Sequence, residues 1–371
     1  MIFAFFALFS ASIWLAILLM PWRPWSTREF LDSAGSCAQG DLSEITVLIP
    51  ARNEREYIEA TLSGLNAQGD GLNVILIDDQ STDGTKETAQ KAAGKRFHVI
   101  SGKPLPSDWN GKLWALEQGR QVVKTPLTLL IDADIELESG ILVALQMMMK
   151  QNDLSFISLM AAMHMTNFWE KLLMPAFIYF FKLLYPFRLS NSRFSKVAAA
   201  AGGCILLETR LLNEIGGFGS ICKELIDDCA LARKIQSRGY RTWIGLTHSV
   251  RSLRVYENLG TIWNMVARTA FTQLHYSVLM LMLCTATLFA AFCLPLVSLM
   301  FGTSIDRYFA VIALCGMVLS YIPTLRFYNV PKWWALTMPV VGTLYLTMTW
   351  TSAIRYWLGQ RSQWKGRTYK R

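Results

Sequence analysis

The chain has 371 residues, of which 52% are hydrophobic and 17% charged, and its formal net charge is +9. Soluble domains average about 25% charged residues, so this balance excludes disordered, collagen-like and disulfide-scaffold classes and calls for lipid or a very large core to take the surplus apolar surface. The positive charge leaves three partner classes: nucleic acid, anionic lipid headgroups, or a polyanionic substrate such as a nucleoside diphosphate.

Residues Met1 to Met20 contain no charged side chain, and Arg23, Trp25 and Arg28 follow. A cleaved signal peptide would carry Lys or Arg before its apolar stretch and small residues at a cleavage site, so 1–22 reads as an uncleaved transmembrane anchor. Arg23 and Arg28 place the next segment in the cytoplasm by the positive-inside rule. From Glu44 the composition changes to short apolar strands alternating with polar helical stretches. Ile45 to Ile49 is a strand ending at Pro50, and Ala51-Arg52-Asn53-Glu54 opens a helix through Gln68. Leu72 to Ile77 is a second strand. It ends in Asp78-Asp79-Gln80-Ser81-Thr82-Asp83-Gly84, where Asp83 suits the cap of a helix through Ala93. The strand His98 to Ile100, a helix from Lys112 and the strand Leu127 to Ile131 continue the alternation, which predicts an α/β domain with a mostly parallel sheet. The chain has no GxGxxG after the first strand and no GxxxxGK[ST], so dinucleotide-binding and P-loop readings lose their main support.

Ligands of such sheets bind at the carboxyl ends of the strands, where Glu54, Asp79, Asp132 and Asp134 fall. Two carboxylates one residue apart, as in Asp132-Ala133-Asp134, are able to share a hard cation, Mg²⁺ or Mn²⁺, that bridges to phosphates. Taken alone, such a tripeptide is more often a solvated turn or a helix cap. Asn167 to Leu189 is strongly apolar but broken by Glu170, Lys171, Pro175, Lys182 and Pro186, and reads either as an interfacial helix or as a core helix. Asp227-Asp228 opens a helix ending at Gly239. Arg251 and Arg254 are candidates to face phosphate or headgroups, and equally a solvated surface. Three further apolar stretches, Tyr276 to Phe301, Tyr308 to Leu325 and Trp333 to Ile354, are each long enough to cross about 30 Å of hydrocarbon. Beyond Tyr276 the only acid is Asp306, and the basic tail 359–371 suits anionic lipid better than nucleic acid. Four crossings would put that tail outside, against the positive-inside rule, so the number of spans stays open. The four histidines are scattered and the seven cysteines include no CxxC pair, which argues against a His or Cys metal site and for a reduced domain.

The ordered series Pro50-Ala51-Arg52-Asn53-Glu54, Asp78-Asp79-Gln80-Ser81-Thr82-Asp83-Gly84-Thr85, Gly111-Lys112-Leu113-Trp114-Ala115-Leu116, Asp132-Ala133-Asp134, Gly216-Gly217-Phe218 and Asp227-Asp228 resembles glycosyltransferase family 2 over roughly Glu44 to Tyr276. With its anchor and C-terminal spans, the chain is similar to the membrane-bound ceramide-glucosyltransferase-like branch, and closest to bacterial glycosyltransferases associated with hopanoid biosynthesis. The resemblance implies a GT-A-type catalytic domain over 44–275, including the stretch 167–189, followed by transmembrane helices over 276–358. It implies an inverting, metal-dependent transfer of a sugar from a nucleotide-diphosphate donor, a UDP-sugar, to a membrane lipid hydroxyl. The protein would be integral to the bacterial cytoplasmic membrane, with its catalytic domain facing the cytoplasm and no role with nucleic acid. By the same match Pro50, Arg52, Glu54, Asp78, Asp79, Lys112, Asp132 and Arg268 would bind the donor nucleotide and diphosphate, and Asp132 and Asp134 would hold Mg²⁺ or Mn²⁺. Asp228 would be the general base, with Asp227 replacing the commoner Glu. One departure stands out. The family's late Gln/Arg-x-x-Arg-Trp motif is reduced to Met265-Val266-Ala267-Arg268-Thr269, which speaks against processive polymer synthesis. The alternative is a catalytically inactive, membrane-anchored binding or scaffold protein that keeps the transferase fold.

Overall fold

The computed structural model describes residues 2–33, 40–92, 96–360, 363–365 and 367–368, so part of the expected basic tail lies outside the described residues. The chain divides into two compact units. One comprises Glu29–His164, Leu189–Val255 and Ser362–Arg371, and the other Met1–Arg28, Met165–Arg188 and Tyr256–Arg361.

The first unit is α/β. Its strands are β1 (Ile45–Ala51), β2 (Asn73–Asp78), β3 (Phe97–Ser101), β4 (Leu127–Ile131), β5 (Ile135–Leu137), β6 (Phe156–Ala162), β7 (Cys204–Glu208) and β8 (Thr242–Ser252). They form one eight-stranded sheet in the order β3-β2-β1-β4-β7-β6-β8-β5. β3, β2, β1 and β4 run parallel, as the strand and helix alternation predicts, and β6 is parallel to β8. β7 is antiparallel to both β4 and β6, and β5 to β8. The register explains the reversal. Cys204, the first residue of β7, lies opposite Ile131, the last of β4, so the chain re-enters the sheet at its carboxyl edge and must run back.

Both faces of the sheet are covered, which is why its central strands read as unbroken apolar runs. Side chains alternate strictly: Val47, Ile49, Val74, Leu76, Leu129 and Ile131 join one buried cluster. Leu48, Ile75, Ile77 and Leu130 join the cluster on the opposite face.

The second unit is helical. Two continuous stretches of 24 residues, Val278–Phe301 and Ser304–Phe327, are long and apolar enough among the described residues to cross a membrane. The N-terminal apolar stretch Phe5–Leu19 is shorter. Its Trp14 is buried and donates from Nε1 to the Ala291 carbonyl at 2.9 Å. The third expected C-terminal crossing resolves into a 3₁₀ turn, Lys332–Thr337, and a 20-residue helix, Met338–Trp357. Thr343, Thr347, Thr349 and Thr351 on that helix donate to carbonyls one turn back, which satisfies their hydroxyls within the helix. The stretch read as interfacial or core forms the helix Phe168–Leu184, opened by an Asn167/Glu170 capping box. It packs within the helical unit: Tyr179 meets Ser320 at 2.8 Å, Tyr345 donates to the Leu173 carbonyl at 2.8 Å, and Glu170 and Lys182 are buried.

Candidate active site

β1 and β2 end side by side, and each is followed by a turn through a non-glycine residue in the left-handed region, Asn53 at φ +52° and Gln80 at φ +56°. Such conformations persist where the surroundings hold them. Here the two turns hold each other. The Asn53 amide donates to Ser81 Oγ at 3.0 Å, and Asn53 Oδ1 accepts from the Thr82 amide at 2.9 Å. Arg52 Nη1 donates to the carbonyls of Asp79 at 2.5 Å and Gln80 at 3.0 Å. Asp83 accepts from the Thr85 amide at 3.0 Å at the start of the helix Thr85–Ala92, the capping role its spacing suggests. Asp78 and Asp79 are both buried, and Asp78 Oδ1 has no hydrogen-bond partner among the described residues.

Glu54 follows the first of these turns and is nearly buried. Only 8% of its side chain is exposed, and it accepts from Arg254 Nη2 at 3.0 and 3.1 Å and from Lys365 Nζ at 3.0 Å. Burial pushes the Glu54 carboxyl above its usual range despite both cations. Arg254 also donates from Nε to Asp134 Oδ2 at 2.8 Å, so one guanidinium joins the end of β1 to the second acid of Asp132-Ala133-Asp134.

The first acid of that tripeptide faces elsewhere. Lys112 Nζ sits 2.7 Å from Asp132 Oδ1 and 3.7 Å from Asp227 Oδ2. The helix Gly111–Arg120 that carries Lys112 is capped by Asn110, whose Oδ1 accepts from the Lys112 amide at 3.0 Å. Asn110 in turn donates its amide to the Cys222 carbonyl at 3.0 Å, which draws the segment before Asp227 against this helix. The Gly216-Gly217-Phe218 motif docks on the same helix. The Phe218 amide donates to Glu117 Oε2 at 2.9 Å, and a Cβ on Gly217 would stand 2.6 Å from that oxygen. Pro50, Lys112, Asp132, Gly202, Asp227 and Asp228 line a common cleft.

Electrostatics in this cleft are set by three carboxylates around one ammonium. Burial lowers the Lys112 pKa, but Asp132, Asp227 and Asp228 more than reverse this, so Lys112 stays charged. Asp228 is pushed up to about 7 by burial and then by its neighbour Asp227, with Lys112 only partly opposing. Asp227 and Asp228 open the helix Asp227–Ser237. Its cap position is Ile226, and Asp228 Oδ1 accepts from the Cys229 amide at 2.7 Å, so Asp228 lies inside the first turn.

The donor set suits a hard divalent cation. Asp132 and Asp134 are oxygen ligands, and the acids around Lys112 outnumber the cations. Among the described residues no group of three or more His, Cys, Asp or Glu stands close enough to hold a metal by itself. Asp132 and Asp134 are the residues that would hold such a cation, and each is ion-paired here, Asp132 with Lys112 and Asp134 with Arg254.

The α/β unit thus brings Pro50, Arg52, Glu54, Asp78, Asp79, Lys112, Asp132, Asp134, Asp227 and Asp228 to one edge of the sheet. Arg268 instead lies on the helix Leu259–Gln273 of the helical unit, with its side chain exposed. Three further residues take part in ways that local sequence reasoning did not assign: Gly202, Arg254, which faces carboxylates rather than phosphate or headgroups, and Lys365. Gly202 backs the cluster so closely that a Cβ would lie 3.2 Å from Lys112 Nζ and 3.5 Å from Asp228 Oδ2. Its place beside Gly203 was the available signal. Arg254 is 120 residues from Asp134 in sequence and Lys365 is 312 from Asn53, and no local pattern connects such pairs.

The family model described as Glycosyl transferase family 2 matches residues 46–216. A 4,4'-diaponeurosporenoate glycosyltransferase of Staphylococcus haemolyticus is 31% identical over 113 residues, covering 30% of this chain and 30% of the relative. An undecaprenyl-phosphate 4-deoxy-4-formamido-L-arabinose transferase of Aeromonas hydrophila is 34% identical over 100 residues, covering 26% of this chain and 30% of the relative. The chain therefore spans less than a third of the length of these curated relatives. Among solved structures, the mannosyltransferase PcManGT of Pyrobaculum calidifontis, in complex with GDP-Man and Mn²⁺, aligns over 97% of this chain and 100% of its own with a TM-score of 0.58. At 17% identity that likeness speaks to the fold, an α/β GT-A-like arrangement. The matched segment, similar to glycosyl transferase family 2, holds the paired turns after β1 and β2, Lys112, the Asp132-Ala133-Asp134 tripeptide and Gly202.

Proposed function

We propose that the protein transfers a sugar from a nucleoside-diphosphate donor to the hydroxyl of a membrane lipid, with inversion at the anomeric carbon. The observation that carries this reading is the cleft in which Lys112 lies between Asp132 and Asp227, beside a carboxylate, Asp228, pushed up to about 7. A base with a pKa near the working pH combines a usable deprotonated fraction with a real affinity for the proton. In this reading Asp228 accepts the proton of the acceptor hydroxyl as its oxygen bonds to the anomeric carbon, and the bond to the departing phosphate breaks on the opposite face. Asp227 keeps Asp228 basic by repulsion and shares Lys112 with Asp132. The Lys112 ammonium meets the charge that develops on the leaving diphosphate. Glu54, held by Arg254, and the turns carrying Arg52, Asp78 and Asp79 form the nucleoside end of the pocket. Asp132 and Asp134 would hold Mg²⁺ or Mn²⁺, which supplies Lewis-acid neutralisation of the diphosphate when bound.

Two apolar helices of 24 residues and relatives named for lipid substrates support a membrane-embedded enzyme with a lipid acceptor. We infer that the α/β unit faces the cytoplasm, where nucleotide sugars are made, and place hopanoids and other polycyclic or isoprenoid lipids first among acceptors. A UDP-sugar is the donor class to try first. The reading is tested by the release of nucleoside diphosphate from UDP- and GDP-sugars with Mg²⁺ or Mn²⁺ and total membrane lipid, compared with Asp134→Asn. Turnover by the native chain that falls to background in Asp134→Asn is expected. No release with any donor would leave the catalytically inactive scaffold as the better account.

The position of Asp228 also fixes a pH profile. Only its deprotonated form takes a proton, so kcat/KM is expected to fall about tenfold per pH unit below about 7 and to level off above it. An acid limb centred near 4, the range of an ordinary carboxylate, would remove Asp228 from the role of base.

A further inference from the structure

The C-terminal segment of the α/β unit folds as a small hairpin, with Gln363–Trp364 antiparallel to Arg367–Thr368 and Arg367 opposite Trp364. Lys365 sits at its turn with φ +47°. This one residue bonds to three successive residues of the turn after β1. Its carbonyl accepts from Arg52 Nε at 3.0 Å, and its ammonium donates to the Asn53 carbonyl at 3.1 Å and to Glu54 at 3.0 Å. Asn53 is itself in the left-handed region, and its carbonyl direction depends on what it bonds to. Glu54 is nearly buried and needs a counter-charge. With Arg254 shared by Glu54 and Asp134, Lys365 brings the balance there to two cations against two acids.

Resting on the transferase reading above, we propose that Lys365 is a positioning residue of the donor pocket, through which the C-terminal hairpin fixes the Arg52–Glu54 turn and neutralises Glu54 so that a nucleoside diphosphate is bound. Loss of the ammonium leaves the nearly buried Glu54 under-compensated beside the strand ends that must take a polyanion. Donor affinity then falls, while the groups around Lys112, which act on the reacting bond, are untouched.

The test uses the full chain in detergent, with UDP and GDP in the presence of Mg²⁺ as probes in calorimetric titrations. Lys365→Met is expected to weaken the better-bound nucleotide about tenfold, and Lys365→Arg, which keeps the charge, to stay within about threefold of the native chain. In turnover the Lys365→Met loss is expected in the donor KM, with kcat changed less than about twofold. Lys365→Gln replaces Lys365→Met if the latter lowers the unfolding midpoint. Unchanged or tighter nucleotide binding in Lys365→Met would overturn the proposal, since the hairpin would then be an idle or competing contact. An equal loss in Lys365→Arg would overturn it as well. Failure of the native chain to bind either nucleotide would overturn the transferase reading and this inference together, whereas native binding with an insensitive Lys365 overturns only the inference.

Discussion

Asp228→Asn is expected to lower the rate of sugar transfer by about 10²- to 10⁴-fold, the span a positioned general base supplies, while nucleotide binding changes little. The substitution keeps the shape and the acceptance of the Cys229 amide but removes the site that takes up the proton. Its effect on stability has the opposite sign to its effect on rate. The folded-state pKa of Asp228 is raised to about 7 from an ordinary 3.8, so its protonation stabilises the fold fully below the lower value, and that contribution is lost as pH rises through about 7. At pH 8 the folded protein therefore carries a disfavoured charge that Asn does not carry. Asp228→Asn should unfold at the same temperature as the native chain or a higher one at pH 8. A variant that loses activity because its unfolding midpoint drops would point to a structural role for Asp228. One that keeps a tenth or more of native turnover, about 1.4 kcal/mol or less in barrier, would exclude it as the base.

Lys112→Met has the second largest expected effect, and it acts on more than one property. Removing the ammonium leaves Asp132, Asp227 and Asp228 without the cation they share. Deleting one partner of a fully buried pair costs about 3–5 kcal/mol, and since Lys112 and Asp132 keep part of their side chains in solvent the expected loss here is nearer 2 kcal/mol. Transfer should fall about 10²- to 10³-fold through lost stabilisation of the departing diphosphate. The acid limb of kcat/KM should also move to higher pH, because the Lys112 ammonium lowers the affinity of Asp228 for its proton while Asp227 and Asp132 raise it. A Lys112→Met variant with a native acid limb would disconnect Lys112 from Asp228. Lys112→Arg is expected to restore stability more than rate, since a guanidinium fork does not fit a point-charge position backed so closely by Gly202.

Much of the architecture was legible because it is local. The β-branched runs, the Asp83 cap and the alternation of strands with helices each act over a few residues, and β1 to β4 and their helices follow from them. The reversal of β7 was not legible, since it depends on the edge at which the chain returns after leaving the unit. The form of the third C-terminal stretch was not legible either, since it divides into the 3₁₀ turn Lys332–Thr337 and the helix Met338–Trp357. An apolar run does not by itself show where a 3₁₀ turn passes into an α-helix.

The sequence by itself determined an α/β domain with acids at its strand ends, apolar helical stretches on both sides of it, and an ordered motif set that reads as a family 2 transferase. Tertiary structure alone decided how those acids divide. It turned Asp132 toward Lys112 and Asp227, and gave Asp134 to Arg254, which also holds Glu54 from 200 residues away. Hydrophobic period and turn chemistry leave a trace in neighbouring residues, whereas an ion pair between distant segments exists only once the backbone has brought its charges within a few ångströms in a medium of low dielectric.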